Sequence, residues 1–216
     1  MATKHNTTIL MEAFMFISRY DSSGWRPDLT GLKVVDIGGA NSFNAYNNDC
    51  VIDIRPPLIP TQNQFIGNID EPAIWEEVMS HVKKFGKWDY AICTHTLEDI
   101  HNPIYVAKQI EKIAHKGLIV EPSKYRELLR FSGNFRGFIH HYWIFDVREG
   151  ELIALPKINY IEDSYFDKVR EHTFYEELIV EWETTIDLKA LNNGQPYGNE
   201  TISGEEHIRQ LYNQLV

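Results

Sequence analysis

The sequence predicts an α/β chain built on a mostly parallel sheet covered by helices, with antiparallel strands toward the C-terminal end. Three observations predict it. Short continuous apolar runs recur at residues 32–37, 50–54, 89–93 and 117–120. Stretches with helical spacing of apolar residues separate the later runs. The pattern then changes after residue 135 to paired runs around a turn. Runs that are apolar at every position suit strands buried on both faces, the signature of a parallel sheet.

The elements follow in order. Residues 8–20 carry Ile9, Leu10, Ala13, Phe14, Ile17 and Tyr20. That spacing predicts an N-terminal helix with Thr7 or Thr8 as its cap. The turn-rich stretch 21–31 links it to a first strand, 32–37, which runs into Gly38 and Gly39. A second strand, 50–54, is closed by Arg55, Pro56 and Pro57. A weaker third covers 64–66. Asp70 is placed to cap a helix over 71–84, with Pro72 tolerated in its first turn. Residues 89–93 form the fourth strand. Asn102 and Pro103 open a helix reaching about residue 115, and Val106, Ile110 and Ile113 are its buried stripe. Residues 117–120 are the fifth strand, ending at Glu121 and Pro122. Runs 139–147 and 152–155, joined by Glu149 and Gly150, read as a hairpin. A further strand covers 178–186, a polar loop 192–199, and Ser203 with Glu206 makes a capping box for a last helix. A parallel sheet finishing with an antiparallel hairpin or strand fits one mixed-sheet domain over 1–216.

The chain has 216 residues, a formal net charge of -10 and 43% hydrophobic residues. That length suits one sizeable core. The acidic balance argues against a nucleic-acid backbone or an anionic membrane surface as partner, since both require basic residues. Cys50 and Cys93 lie in apolar runs, outside any CxxC or Cys/His cluster, and read as small buried core residues rather than zinc ligands. No apolar run reaches membrane-spanning length, and no basic-then-apolar leader opens the sequence. The expectation is a soluble cytoplasmic protein.

The chemistry concentrates at strand ends, where open α/β sheets bind ligands. The first strand ends VVDIGGANS, with Asp36 before Gly38 and Gly39 and with Ala40 and Asn41 after them. A dinucleotide site would show G-x-G-x-x-G, its amides aimed at a pyrophosphate. Here the acid comes first, which suits a ligand with positive groups. Asp53 ends the second strand, where a carboxylate can accept both hydroxyls of a ribose.

These residues resemble a family. VVDIGGANS resembles the first motif of class I S-adenosylmethionine (SAM)-dependent methyltransferases, and VIDIRP their second. WDYAICTHTLEDIHNP, from Trp88 to Pro103, is similar to their fourth-strand motif, and GLIVEPS to their fifth strand. The match covers residues 32–123. Ala40 and Ser42 stand where the family's later loop glycines are usual, and Asp99 where it has a histidine. Only residues 43–49 separate the loop from the second strand, so the first crossover has room for a turn or two. That resembles a methyltransferase-like subgroup with a short first helix, which often carries a His-His-x-Trp-like segment. His140-His141-Tyr142-Trp143 is similar to it.

The resemblance implies a Rossmann-like three-layer sandwich: an N-terminal helix and linker (1–30), a cofactor-binding half (31–123) and an acceptor-side half (124–216). It implies SAM as cofactor and S-adenosylhomocysteine (SAH) as product. Asp36, Gly38, Gly39, Ala40, Asn41, Asp53, Ile54, Thr94 and His95 would hold the cofactor, with Asn68 and Ile69 beside its adenine. Methyl transfer from a sulfonium mainly needs positioning and exclusion of water, and an oxygen acceptor also needs a base. His95, Asp99, His140 and His141 are the catalytic candidates, with Glu98 able to orient His95 or take a proton. Neighbours on a strand point to opposite faces, so only one of His140 and His141 would face the site. His95, Asp99 and His101 also have ligand chemistry for a divalent ion, but nothing fixes further ligands, and no metal is assigned. Tyr125, Arg126, Arg130, Tyr142 and Trp143 would line an acceptor pocket. The leading expectation is O-methylation of a small molecule or a sugar hydroxyl. The alternative is a SAM-fold binding or scaffold protein without transferase activity. A nicotinamide-dependent oxidoreductase is disfavoured by the missing glycine pattern.

Overall fold

The computed structural model describes residues 16–21, 26–41, 48–130, 135–148, 150–169, 176–191, 209–210, 212–213 and 215. Strand β1 is Phe16–Asp21. Strand β2, Val34–Ile37, runs into a 3-10 turn at Gly39–Asn41. Then come β3 (Cys50–Asp53), β4 (Asn63–Ile66) and helix α1 (Pro72–Phe85). Strand β5 (Trp88–Thr94) leads through a 3-10 turn, Leu97–Asp99, to helix α2 (Pro103–Ile113). Strand β6 (Ala114–Pro122) and the short helix α3 (Lys124–Leu128) follow. Strands β7 (Trp143–Arg148) and β8 (Glu151–Pro156), two 3-10 turns, β9 (Glu177–Glu183) and β10 (Leu188–Ala190) complete the order.

The larger sheet has the order β1-β9-β6-β5-β2-β3-β4. Strands β6, β5, β2, β3 and β4 pair in parallel, while β9 is antiparallel to both β6 and β1. This is a Rossmann-like α/β arrangement with an antiparallel strand near the C-terminal end. From β2 the chain moves outward through β3 to β4, then returns to β5 on the other side of β2 and on to β6. Right-handed crossovers in that second direction put their helices on one common face. Ile74, Trp75 and Val78 of α1 and Val106, Ala107 and Ile110 of α2 accordingly share a core with Val35, Ile37, Ile52, Ala91 and Ile119 of the sheet. The opposite face (Val34, Tyr90, Ile92, Leu118, Val120 and Ile179) is buried too, with Leu29 and Leu32 against it.

Four expectations are corrected. Residues 16–20 are not helical: they form an edge strand in register with β9, whose backbone groups supply the pairing that local spacing cannot foresee. Residues 8–15 lie outside the described residues, as do 42–47, the loop 192–199 and the Ser203/Glu206 box; residues 209–210 and 212–213 are helical. Asp70 does not cap α1. Glu71 stands at that position without a side-chain bond, and the Asp70 carboxylate instead accepts from the backbone of His101 and Asn102. The run 139–147 becomes extended only at Trp143. And the hairpin does not extend the main sheet, whose β6 edge is taken by β9.

Strands β7 and β8 instead form a second sheet with β10, in the order β10-β8-β7. One face of it (Trp143, Phe145, Leu152, Ala154, Leu188) joins the helix-side core. The other (Ile144, Ile153, Leu155) packs with Ile158, Ile161, Phe166, Tyr212 and Leu215. The second sheet is tied to the Leu97–Asp99 turn. Tyr142 N donates to Glu98 O at 2.7 Å, and the Trp143 indole to Ile100 O at 2.8 Å. Trp143 is fully buried. Trp143→Phe keeps most of the apolar contact but strands the Ile100 carbonyl, a loss of about 1–3 kcal/mol. Urea unfolding should show that loss; an unchanged midpoint would mean the indole bond is replaceable by water.

Candidate active site

A cavity of about 560 Å³ opens at the carboxyl ends of β2, β3 and β5. This is the point where the strand order reverses direction, between β2 and β5, the usual ligand crevice of such sheets. Its wall is assembled from Gly38 after β2, Asp53, Ile54 and Arg55 around the end of β3, and Asn68, Ile69 and Asp70 after β4. Thr94, His95, Thr96, Asp99, Ile100 and His101 complete it from the β5 side. Seven of the eleven positions expected to hold a cofactor therefore reach one cavity: Gly38, Asp53, Ile54, Asn68, Ile69, Thr94 and His95.

Asp36, Gly39 and Ala40 are not in that wall; they brace it. Asp36 is buried and accepts from Asn48 Nδ2 at 2.8 Å. A β-carbon at Gly39 would come within 2.2 Å of the Asp36 carboxyl carbon, so only glycine lets the loop close over the acid. Gly38 has φ +78, and a β-carbon there would sit 2.1 Å from Thr96 Oγ1. Glycine is required on both counts. Ala40 N donates to Asp53 Oδ2 at 3.0 Å and Arg55 N to Oδ1 at 2.9 Å, which fixes the Asp53 carboxylate at the rim. Asn68 is held likewise, its Oδ1 accepting from Asp70 N and its Nδ2 donating to Glu71. Asn41 lies in the 3-10 turn.

His95 is a non-glycine residue in the left-handed region, φ 48, directly after β5. Such a conformation costs of order 1–3 kcal/mol and persists where the surroundings enforce it. Here His95 N donates to Val120 O at 2.8 Å. The ring is set between acids, with Nε2 3.2 Å from Glu177 Oε1 and Nδ1 3.6 Å from Glu98 Oε1. The Glu177 bond, and after it Glu98, raise its pKa to about 9 against the burial that opposes the charge. His95 is thus an imidazolium at neutral pH and cannot serve there as the general base.

Beneath it lies a pair of buried acids. Burial and the neighbouring Glu98 charge push Glu121 well above the ordinary carboxyl range. Burial opposes the charge on Glu98 as well, but the proton of Glu121, His95 and the nearby His141 hold it below its ordinary value. Glu121 is thus the neutral member of the pair and Glu98 the charged one. Burial, with the Glu98 charge, also raises Asp99.

His140 and His141 are brought to the same corner by a turn rather than a strand, so both rings approach Asp99 and alternation does not apply. His140 Nε2 is 3.9 Å and His141 Nε2 3.8 Å from Asp99 Oδ1. His141 is buried, with Nδ1 2.7 Å from Glu127 Oε1. Lys157 Nζ donates to Glu127 Oε2 at 2.5 Å and to Phe138 O at 2.6 Å. A second cavity, about 310 Å³, lies on the far side of His141, between Phe135, Ile139, Tyr142, Lys157, Asn159 and Glu162, among others.

Of the expected acceptor-side residues, only Tyr142 lines that second cavity. Trp143 is core. Arg126 pairs with Glu176, and Arg130 with Glu162. Tyr125 stands beside the Lys124 ammonium. His95 and His101 do not converge with Asp99: their partners are Glu98 and Glu177, and Asp70. Sequence reasoning missed Glu177, Glu127 and Lys157. None sits in a motif; Glu177 opens β9, and only antiparallel pairing carries it to His95.

Neither a family model nor a curated protein matches the chain at a meaningful level. Among solved structures it is similar to Thermoplasma acidophilum 1320, with 15% identity and a TM-score of 0.34, over 72% of this chain and 77% of that one. It is also similar to the N-terminal domain of EvdMO1 solved in the presence of SAH and D-fucose, with 10% identity and a TM-score of 0.35, over 72% of this chain and 77% of that one. The same EvdMO1 domain with SAH bound matches equally at a TM-score of 0.35, with 76% of that chain covered. Likeness at this level says nothing of activity. Among the described residues no helix is long and apolar enough to cross a membrane.

The His95 pKa makes a sign-definite expectation. With its folded pKa above the ordinary value of 6.5, its contribution to stability is complete below about pH 6.5 and is lost as pH rises through about 9. Proton NMR should place the His95 midpoint near 9, and Glu177→Gln should move it toward 6.5 and flatten thermal stability across that window. A midpoint near 6.5 in the unaltered protein would show that Glu177 does not hold the proton.

Proposed function

We propose that this chain is a SAM-dependent methyltransferase acting on a hydroxyl of a small molecule or a sugar. One observation carries the reading: the switch-point cavity gathers the motif residues Gly38, Asp53, Asn68, Ile69, Thr94 and His95 on one wall. Its volume of about 560 Å³ is in the range of cofactor sites. The residues fit the group. Asp53 is fixed by two backbone amides, yet each carboxylate oxygen retains a lone pair for a ribose diol. Ile69 offers an apolar contact and Asn68 a polar one for a purine. Bound SAM would supply an activated methyl group. The chain's own part is to orient it, exclude water and take the acceptor proton.

His95 keeps its proton, so the base falls to the His140, His141 and Asp99 corner. His141 faces both cavities' boundary with Nδ1 anchored on Glu127, which leaves Nε2 for an acceptor hydroxyl. In this reading the second cavity receives the acceptor. The two cysteines are free and buried, their thiols kept protonated by burial, which fits a reducing cytoplasmic setting.

A second reading, SAM binding without transfer, is favoured by one observation: within the cofactor cavity Glu177 and Glu98 hold His95 in its protonated form, which removes it as a base. Calorimetry separates the cases. SAH should bind one to one, and Asp53→Ala should weaken it roughly 10-fold or more, as expected for losing a hydrogen bond to a charged group. No SAH binding at millimolar concentration would sink both readings. Binding without turnover on any hydroxyl acceptor would leave the second.

A further inference from the structure

Asp99, His140 and His141 are the His/acid group whose ligand atoms converge among the described residues, all within 4.8 Å of one another. We propose that they hold a divalent transition-metal ion between the two cavities, with open positions for an oxygen ligand. The proposal goes beyond the methyl-transfer reading and, where that reading holds, refines it: with the ion on His141 Nε2, activation of the acceptor oxygen falls to the ion and not to that nitrogen.

Three features support it. The first is spacing. His140 Nε2 and His141 Nε2 lie 3.9 and 3.8 Å from Asp99 Oδ1. Those separations are too long for hydrogen bonds. Two ligands each about 2.1 Å from a common ion lie about 3.0–3.5 Å apart at octahedral to tetrahedral angles. Contraction of those two separations by about 0.3–0.9 Å, with His140 also drawn toward His141 from within 4.8 Å, closes the site, and the half-exposed Asp99 and exposed His140 have room to move.

The second is the state of His141. Its side chain is only 6% exposed, and its Nδ1 is bonded to Glu127. With Nδ1 anchored on that carboxylate, Nε2 is directed away from Glu127. It then points at Asp99 Oδ1, 3.8 Å away, and Glu98 Oε1, 3.9 Å away. Neither separation is a hydrogen bond, and the gap leaves room for an ion between these groups. No hydrogen bond is made to this Nε2 among the described residues.

The third is the shell behind the ligand. Glu127 is itself held by Lys157. A carboxylate bonded to the far nitrogen of a ligand histidine is the usual outer shell of a metal site, fixing the ring's tautomer and orientation. The ligand chemistry, two imidazoles and one carboxylate, selects Zn²⁺, Co²⁺, Mn²⁺ or Fe²⁺ over Mg²⁺, which prefers all-oxygen shells. Asp99 lines the larger cavity and His141 the smaller, so open positions on the ion would face the boundary between them. An acceptor oxygen seated there would be bound and made more acidic.

The test uses the full chain, without any histidine tag and stripped with a chelator. Calorimetry with Zn²⁺, and visible absorption with Co²⁺, should show one ion per chain. His140→Ala and Asp99→Asn, both at solvent-accessible positions, should each weaken binding by about 100-fold or more. Glu127→Gln, which touches no ligand atom of the ion, should weaken it by about 10- to 100-fold. Stoichiometric uptake lost in these variants, with their thermal unfolding still cooperative, establishes the site. No uptake of Zn²⁺ or Co²⁺, uptake unchanged in the variants, or Mg²⁺ bound as tightly as Zn²⁺ would overturn it. SAH binding is measured separately on the unaltered, metal-free chain, so failure of the methyl-transfer reading is read there and failure of the metal site here.

Discussion

The clamp between the Leu97–Asp99 turn and the start of β7 organises everything around the site. It has two members: the backbone bond from Tyr142 to the Glu98 carbonyl, and the indole bond from Trp143 to the Ile100 carbonyl. The turn belongs to the parallel sheet, and β7 to the second sheet. Apolar packing between the two sheets is non-directional and sets no register; the clamp adds directional bonds at the site's corner, beside the Ser123–Phe145 bridge and the Lys124–Asp146 ion pair farther along β7. With the clamp, the corner carrying His140 and His141 is fixed against Asp99, and the two cavities meet there.

The same corner is electrostatically unusual. Glu98, Glu121 and Glu127 are all buried. Isolated carboxylates could not be kept there charged, because desolvation would outweigh any local gain. The chain resolves this in three ways. Glu121 keeps its proton beside the charged Glu98. Glu127 is matched by Lys157 and His141. His95 carries the charge that balances Glu98 and Glu177 from the cavity side. The acids therefore form a charged layer whose outer surface is available to a cation, whether a sulfonium in the larger cavity or a metal ion at the boundary.

This layout also divides labour between the two histidine groups. His95, strained and protonated, is a fixed positive element in the cavity wall. His140 and His141 lie where they can accept a proton or a metal. Of the four catalytic candidates, His95 is the one whose flanking acids, Glu177 and Glu98, make it keep its proton.

The sequence by itself determined the sheet's inner strands and the ligand side of their ends. The centres of β2, β3, β5 and β6 are short apolar runs because both faces are buried there, so composition alone marks them. The glycines at 38 and 39 and the acids at 36 and 53 are set by local backbone needs, and Gly38 and Asp53 line the cavity as expected. Only the tertiary structure decided the rest. The segment 16–20 has helical spacing, yet the free edge of β9 makes it a strand. The hairpin reads the same whether it extends the first sheet or begins a second; occupation of the β6 edge by β9 settled that. Glu177, Glu127 and Lys157 have no local signature, because what they do is defined by partners 82, 14 and 30 residues away. Local patterns record what a segment needs for itself, while burial, edges and long-range charge pairing depend on the whole chain.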